Sequence, residues 1–399
     1  MIPTRFYYPS PGFSVYWKTG NGKELARRLR GTFPEKAEIE QLIPRLFEID
    51  SAGDEVIREV YQVAGFRQAD AWIEVLLSGK EAPGCPDCLI NLVNQINVSP
   101  PWLNAGLLEA GARLCRRSGS LGLMVLRNYC LMGGYESSAI NKPLVFTGAL
   151  KKGAAKRLTE TTEFWVRIIG ENALRNPQTG LKECLKTRLM HAYARVCILD
   201  EGKWQESDWG APLNQWDMIA TNLGFSIIFL DGLRKLGMHI TDAETEGLFH
   251  FWKYVGYLLG IPAEYLPENE SDAIRAIYAW TITQAPADED TIALAKALTL
   301  EPVDGPFPAK RWQKKLVYKT HLGYNRFFLG AISCGTMHLP DTAWKIHPPI
   351  QRFFVRLGQF FVHRSEKSYQ RSTRRNRKLQ KKVVNAYLMS HEKKPVLDA

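Results

Sequence analysis

Apolar side chains recur three and four residues apart along almost the whole chain. Nowhere do they alternate with the period of two, bounded by hairpin turns, that a half-buried strand needs. The stretch after Thr241 is the clearest case. Thr241-Asp242-Ala243-Glu244 has the side chains of a capping box, and Leu248, Phe251, Trp252, Val255, Leu258 and Leu259 then form one stripe. Gly260 and Pro262 end it. The same spacing predicts helices near 23–30, 35–49, 54–63, 69–77, 89–96, 102–130, 153–169, 271–282, 291–298, 312–324 and 350–362. The expected class is all-α.

A chain of 399 residues exceeds the ~250–300 that one hydrophobic core supports. Residues 1–99 read as a helical extension packed on a core at 100–362, with a basic tail at 363–399. The formal charge of +11 invites a nucleic-acid reading, but its location counts against one. Residues 364–394 hold eleven Lys and Arg against two Glu, which leaves the body close to neutral. Such a run reads as a solvated helix face or a frayed end, with an anionic membrane surface as the partner it would meet. The uncharged apolar runs at 218–230 and 327–340 fall short of the ~20 residues of a membrane span. No basic start leads into a short apolar core, so the expected location is cytoplasmic and at most peripheral to a membrane. Seven cysteines are scattered singly apart from Cys85-Pro86-Asp87-Cys88, which lacks a second pair at zinc spacing and suits a reducing compartment.

Within this frame one stretch stands out. Arg188, His191 and Arg195 fall at i, i+3 and i+7, so a helix stacks them on one stripe, while Leu189, Val196 and Leu199 can face a core. A short loop, Gly210 to Asp217, then leads into an apolar helix. Two helices joined this way can offer one imidazole nitrogen to a buried cofactor; a hydrogen-bonded structural histidine fits the same pattern. Arg157 and Thr161 lie one turn apart on the preceding helix, which alone is ordinary surface chemistry. The Gly133–Leu144 segment is rich in small polar residues and reads as a loop without any phosphate-cradling motif. No Asp or Glu stands three residues before a histidine, and His-Glu-x-x-His and Gly-x-Ser-x-Gly are absent, so di-iron, zincin and serine-hydrolase chemistry are set aside. A helical chain with one well-framed histidine and many aromatics is compatible with haem.

At this point a resemblance enters. Asn141-Lys142-Pro143-Leu144-Val145-Phe146-Thr147-Gly148, Arg157-Leu158-Thr159-Glu160-Thr161, Arg188-Leu189-Met190-His191-Ala192, Pro212-Leu213-Asn214-Gln215 with Asp217, and Thr221 with Phe225-Ser226 follow in an order and spacing that resemble a family of haem-dependent oxygenases. That family includes the rubber oxygenase, latex clearing protein, and the endoplasmic-reticulum-bound oxygenase MpaB. The resemblance implies a globin-like helical core holding haem b, with His191 as axial ligand of the iron and Arg157 and Thr161 beside the haem. It implies dioxygen as co-substrate, a hydrophobic small molecule of isoprenoid or polyketide kind as substrate, and an external electron donor. Arg188 and Arg195 are then propionate contacts or structural ion-pair partners. The other class to weigh is a haem-binding or membrane-surface protein without turnover. Two positions depart from the rubber oxygenase: Asn141 stands where ungapped counting puts its glutamate base, with Glu136 the nearest carboxylate, and Glu160 stands where it has a lysine. Cleavage of rubber itself is therefore not expected. Asn214, Gln215 and Asp217 are expected to brace a helix, and Trp165, Trp216, Phe225 and Trp252 to be core.

Overall fold

The Asn104 side chain accepts hydrogen bonds from the backbone N–H groups of Gly106 (2.9 Å) and Leu107 (3.1 Å), which starts the helix on which two others are stacked. The computed structural model describes residues 2–8, 11–148, 154–175, 177–305 and 307–390. Among them there is no strand, and the fold is all-α. The helices that matter below are labelled in chain order. They are α1 (Ser51–Val56), α2 (Asp87–Asn97), α3 (Ala105–Val125), α4 (Ser138–Phe146), α5 (Ala154–Ile168) and α6 (Lys182–Asp200). After them come α7 (Gln215–Leu223), α8 (Asp242–Leu258), α9 (Arg311–Thr336), α10 (His347–Val362) and α11 (Glu366–Ser390). Gly153, where the α5 helix was expected to begin, lies outside the described residues.

Helix α8 runs along α3, and the crossing is made by two glycines. A Cβ on Gly111 would lie 2.2 Å from the Gly247 carbonyl oxygen, and one on Gly247 would lie 2.7 Å from the Gly111 nitrogen. No side chain fits there, so Gly111 and Gly247 are explained by the close packing of the two helices. Gly111→Ala is expected to lower stability by about 1–3 kcal/mol through overpacking. Gly134→Ala, at a helical glycine with open space around it, is not; thermal melting of the two variants is the check.

Helix α11 covers another side of α3. Tyr369, Thr373, Gln380, Val384 and Leu388 are buried along it; Gln380 Nε2 donates to the Cys115 carbonyl (2.8 Å) and Asn376 Nδ2 to that of Arg117 (2.7 Å). The basic segment expected as a tail is thus a docked helix as far as residue 390, and Lys393 and Lys394 lie outside the described residues. Glu244 joins three elements. It closes the α8 capping box with Thr241, pairs with Arg117 of α3 (2.8 Å) and accepts from the Tyr369 hydroxyl of α11 (2.5 Å). Burial works against its charge, but Arg117, Tyr369 and the Thr241 backbone outweigh burial and hold the carboxyl below its ordinary value of 4.5. A depressed carboxylate contributes stability that is present above the unfolded value and lost as pH falls through the folded one. Acid titration below pH 4.5 is therefore expected to loosen α11 more in wild type than in Glu244→Gln, as read by hydrogen exchange of α11 amides.

Three expectations are revised. The 35–49 helix is only Lys36–Glu40, with one tight turn at Ile43–Leu46 containing Pro44. The carbonyls of Leu46 and Glu48 instead accept from the backbone N–H groups of Ala211 and Gln215, both at 2.8 Å. The Gly133–Leu144 segment is largely helical and buried, because its polar groups find partners inside. Ser137 Oγ donates to Gln284 (2.9 Å) and Asn141 Nδ2 to the Tyr135 carbonyl (2.8 Å). Leu189 and Val196 face the core, but Leu199 is exposed. No helix among the described residues is long and apolar enough to cross a membrane.

Candidate functional site

Helix α6 follows a π-turn at Pro177–Leu181 and packs against α1, α4, α5 and α8. Its orientation is set by two buried ion pairs to the N-terminal segment. Arg188 forks onto Asp50 through Nε and Nη2, both 2.7 Å, and Arg195 pairs with Asp54 at 2.6 Å. Asp50 also caps α1 by accepting from the Gly53 N–H. Two glycines make room for this clamp. Gly53 brings α1 against Ala192, and Gly260, at φ 87°, lies where a Cβ would fall 2.6 Å from Asp50 Oδ2 and 2.8 Å from Arg188 Nε. Of the two roles left open for Arg188 and Arg195, ion pairing is the one this geometry fills.

His191 sits between these arginines. Part of its side chain stays open to the surface, yet Nδ1 is enclosed and has no hydrogen-bond partner among the described residues. Burial, reinforced by the charge of Arg195 and only partly offset by Asp50, pushes the imidazole down to about 4. It is therefore neutral near pH 7, with a nitrogen lone pair to offer. Two buried donors without an acceptor among the described residues, the indole N–H groups of Trp165 on α5 and Trp252 on α8, belong to helices that both pack on α6. His250 differs: its Nε2 accepts from the Asn104 backbone N–H at 2.9 Å.

Arg157 and Thr161 are half-buried on α5. Arg157 Nη1 donates to the Tyr135 hydroxyl at 3.2 Å, with the guanidinium 5.6 Å from that ring, and no carboxylate pairs with it among the described residues. Among the described residues it is thus a cation without a fixed anion, unlike Arg188 and Arg195. Asn141 is buried, and its amide is held on the Tyr135 carbonyl. Glu136 turns to α9, where Ser333 hydrogen-bonds it; burial raises its carboxyl despite that bond. Glu160 is exposed. Neither Asn141 nor Glu136 is a carboxylate facing Arg157 through a hydrogen bond or ion pair.

The loop before α7 is a brace. Asn214 caps the helix through the Asp217 N–H (2.9 Å), and Asp217 receives both ends of the buried Arg5 guanidinium at 2.7 Å. Gln215 Nε2 donates to the Gly260 carbonyl at 3.0 Å. Trp165, Trp216 and Trp252 are core, with Phe225 stacked on Trp252 at 4.8 Å. An open cleft of about 500 Å³ lies elsewhere, between α1 and α2, lined by Glu55, Glu59, Asp87 and Cys88 among others; His191, Arg157 and Thr161 do not line it. Among the described residues no three His, Cys, Asp or Glu side chains gather as a metal-ligand set. Asp50, Asp54, Tyr135 and Gly260 were not expected from the sequence as parts of this site. Asp50 and Asp54, one helical turn apart, were a usable signal, since they match two arginines also spaced to share a face.

Residues 116–361 match the model of the ER-bound oxygenase mpaB/B'/Rubber oxygenase catalytic domain. The rubber oxygenase of Streptomyces sp. (strain K30) is 24% identical over 188 residues, which is 46% of this chain and 46% of that one, so the match spans about half the length of that relative. The structure of latex clearing protein in the closed state superimposes with a TM-score of 0.66 at 17% identity, covering 84% of this chain and 91% of that one, a likeness of fold. The family match takes in α5, α6 and α8, the helices that carry Arg157, His191 and the capping box. The chain belongs to the family of the ER-bound oxygenase mpaB/B' and rubber oxygenase catalytic domain.

Proposed function

We propose that this protein is an oxygenase that holds haem b on His191 and uses dioxygen to oxidise a hydrophobic small molecule, with electrons from an external donor. The observation that carries the reading is the enclosed, neutral imidazole of His191, whose Nδ1 has no partner among the described residues. An unpartnered buried nitrogen costs roughly 1–3 kcal/mol, a penalty that ligation to iron would remove. Haem iron, when bound, supplies the redox chemistry that activates dioxygen. The chain's own contributions are distinct. The Asp50–Arg188 and Asp54–Arg195 clamps fix α6, while burial and the charge of Arg195 keep the imidazole uncharged. Arg157, with no carboxylate partner among the described residues, would offer N–H donors and positive charge to an anionic group such as a haem propionate, and Thr161 one turn on adds a hydroxyl. The Asn141 amide cannot accept a proton as a carboxylate would and is already bound, so the reaction proceeds without a base at that position.

The test is an absorption spectrum of protein expressed with haem precursor, a pyridine extract, and oxygen uptake with a chemical reductant and isoprenoid candidates. A Soret band that changes on reduction and on carbon monoxide addition supports haem binding, and substrate-dependent oxygen uptake supports turnover. A protein that stays colourless after reconstitution rejects the reading. The site of Asn141 also favours a second reading, haem binding without turnover, which predicts the spectrum without the uptake.

A further inference from the structure

Helix α10 is amphipathic in the opposite sense to a helix packed on a core. The side turned to the protein carries Arg352 and Gln359. The Gln359 side-chain oxygen accepts from Arg117 Nη1 at 2.8 Å, and the Arg352 carbonyl oxygen lies 2.8 Å from where a Cβ on Gly237 would be. The other side carries Ile350, Phe353, Phe354, Leu357, Phe360 and Phe361, each between 51% and 73% exposed. Their spacing of i, i+3, i+4, i+7, i+10 and i+11 makes one helical stripe. Soluble monomers rarely leave so many large apolar side chains together in water. A helix of 16 residues is ~24 Å long, short of a ~30 Å hydrocarbon core, so it can lie in an interface but cannot cross it.

What covers this face is indicated by charge. No Asp or Glu lies between Asp341 and Glu366. Two residues after α10 ends, Arg364 opens a second stripe, continued along α11 by Lys367, Arg371, Arg374, Lys378 and Lys382, all exposed and spaced by three or four. The opposite face of α11 is buried on α3, and α10 and α11 pack against each other. A phenylalanine-rich face beside a cationic one is the pattern of a helix lying in the plane of an anionic bilayer surface. A second copy of the chain would set one cationic stripe against another, a repulsive contact.

We propose that α10 and α11 together dock this protein on an anionic phospholipid membrane, with the phenylalanines of α10 in the headgroup–acyl boundary and the α11 cations over the headgroups. The inference is independent of haem and of turnover. The test is flotation of the full chain with vesicles of phosphatidylcholine alone or with about one third phosphatidylserine, where the anionic vesicles are expected to bind about tenfold or more tightly. Phe353→Ser/Phe354→Ser/Phe360→Ser is expected to lose binding to both vesicles. Arg371→Gln/Arg374→Gln/Lys378→Gln is expected to lose the preference for phosphatidylserine and the sensitivity to salt. All six positions are exposed, so both variants should melt as wild type does. The proposal is overturned if wild type does not float with anionic vesicles or if the phenylalanine variant floats as well as wild type. It is equally overturned if sedimentation shows a dimer that the same variant splits, which would put a second copy on this face.

Discussion

His191→Ala is expected to lose its haem on gel filtration and to show no Soret band, while His250→Ala retains both. Removing a group that merely supports a metal ligand costs about 10–100-fold in affinity, and removing a ligand itself costs more. The contrast is set by the two environments. The His191 Nδ1 has no partner among the described residues, so its removal breaks no hydrogen bond among them, whereas the His250 ring is engaged by the Asn104 N–H. The apoprotein of His191→Ala should therefore melt near wild type, which separates loss of a ligand from loss of the fold. Wild-type spectra in both variants would remove His191 from the ligand role.

Arg188→Ala is expected to be the most destabilising change near the site. It leaves Asp50 buried without its partner, and breaking one side of a buried pair costs about 3–5 kcal/mol. Both side chains are nearly enclosed, at 5% and 11% exposure, so water cannot take over the role of the guanidinium. Urea denaturation measures the loss. Asp50→Asn/Arg188→Met should recover part of it, because asparagine can still cap α1 and no uncompensated charge remains. If the Asp50 clamp positions His191 as argued, Arg188→Ala also lowers haem retention by about 10–100-fold at temperatures where it stays folded. Unchanged retention there would leave the clamp a purely structural device.

The helical class, the capping box at Thr241 and the bracing role of Asn214 and Asp217 were legible because each is a local pattern: a period, a box, a cap. What was not legible depended on partners far along the chain. Nothing local in Arg188 says whether its partner is a propionate or Asp50, 138 residues away. The Gly133–Leu144 segment read as a loop because small polar residues usually face water. Here they are buried, since Gln284 and the Tyr135 backbone satisfy them. The α10 face is the converse case. Its aromatic residues carry the period of a core helix, and only the tertiary arrangement shows that they point outward. Only the family resemblance groups His191, Arg157 and Thr161 as candidates; residue chemistry alone left them as separate and ordinary features.

The covering of α3 by α11 has a consequence for how the chain is made. The surface around Cys115 and Ser118 that α11 closes is finished by residues some 260 positions later. At about 5–20 residues per second, a translating ribosome leaves that groove open for on the order of tens of seconds. Throughout this interval a nascent chain carries an unfilled slot shaped for a helix, which competing amphipathic segments and chaperones can enter. Lower growth temperatures and abundant chaperones should therefore raise the yield of native protein more than any change at His191 would.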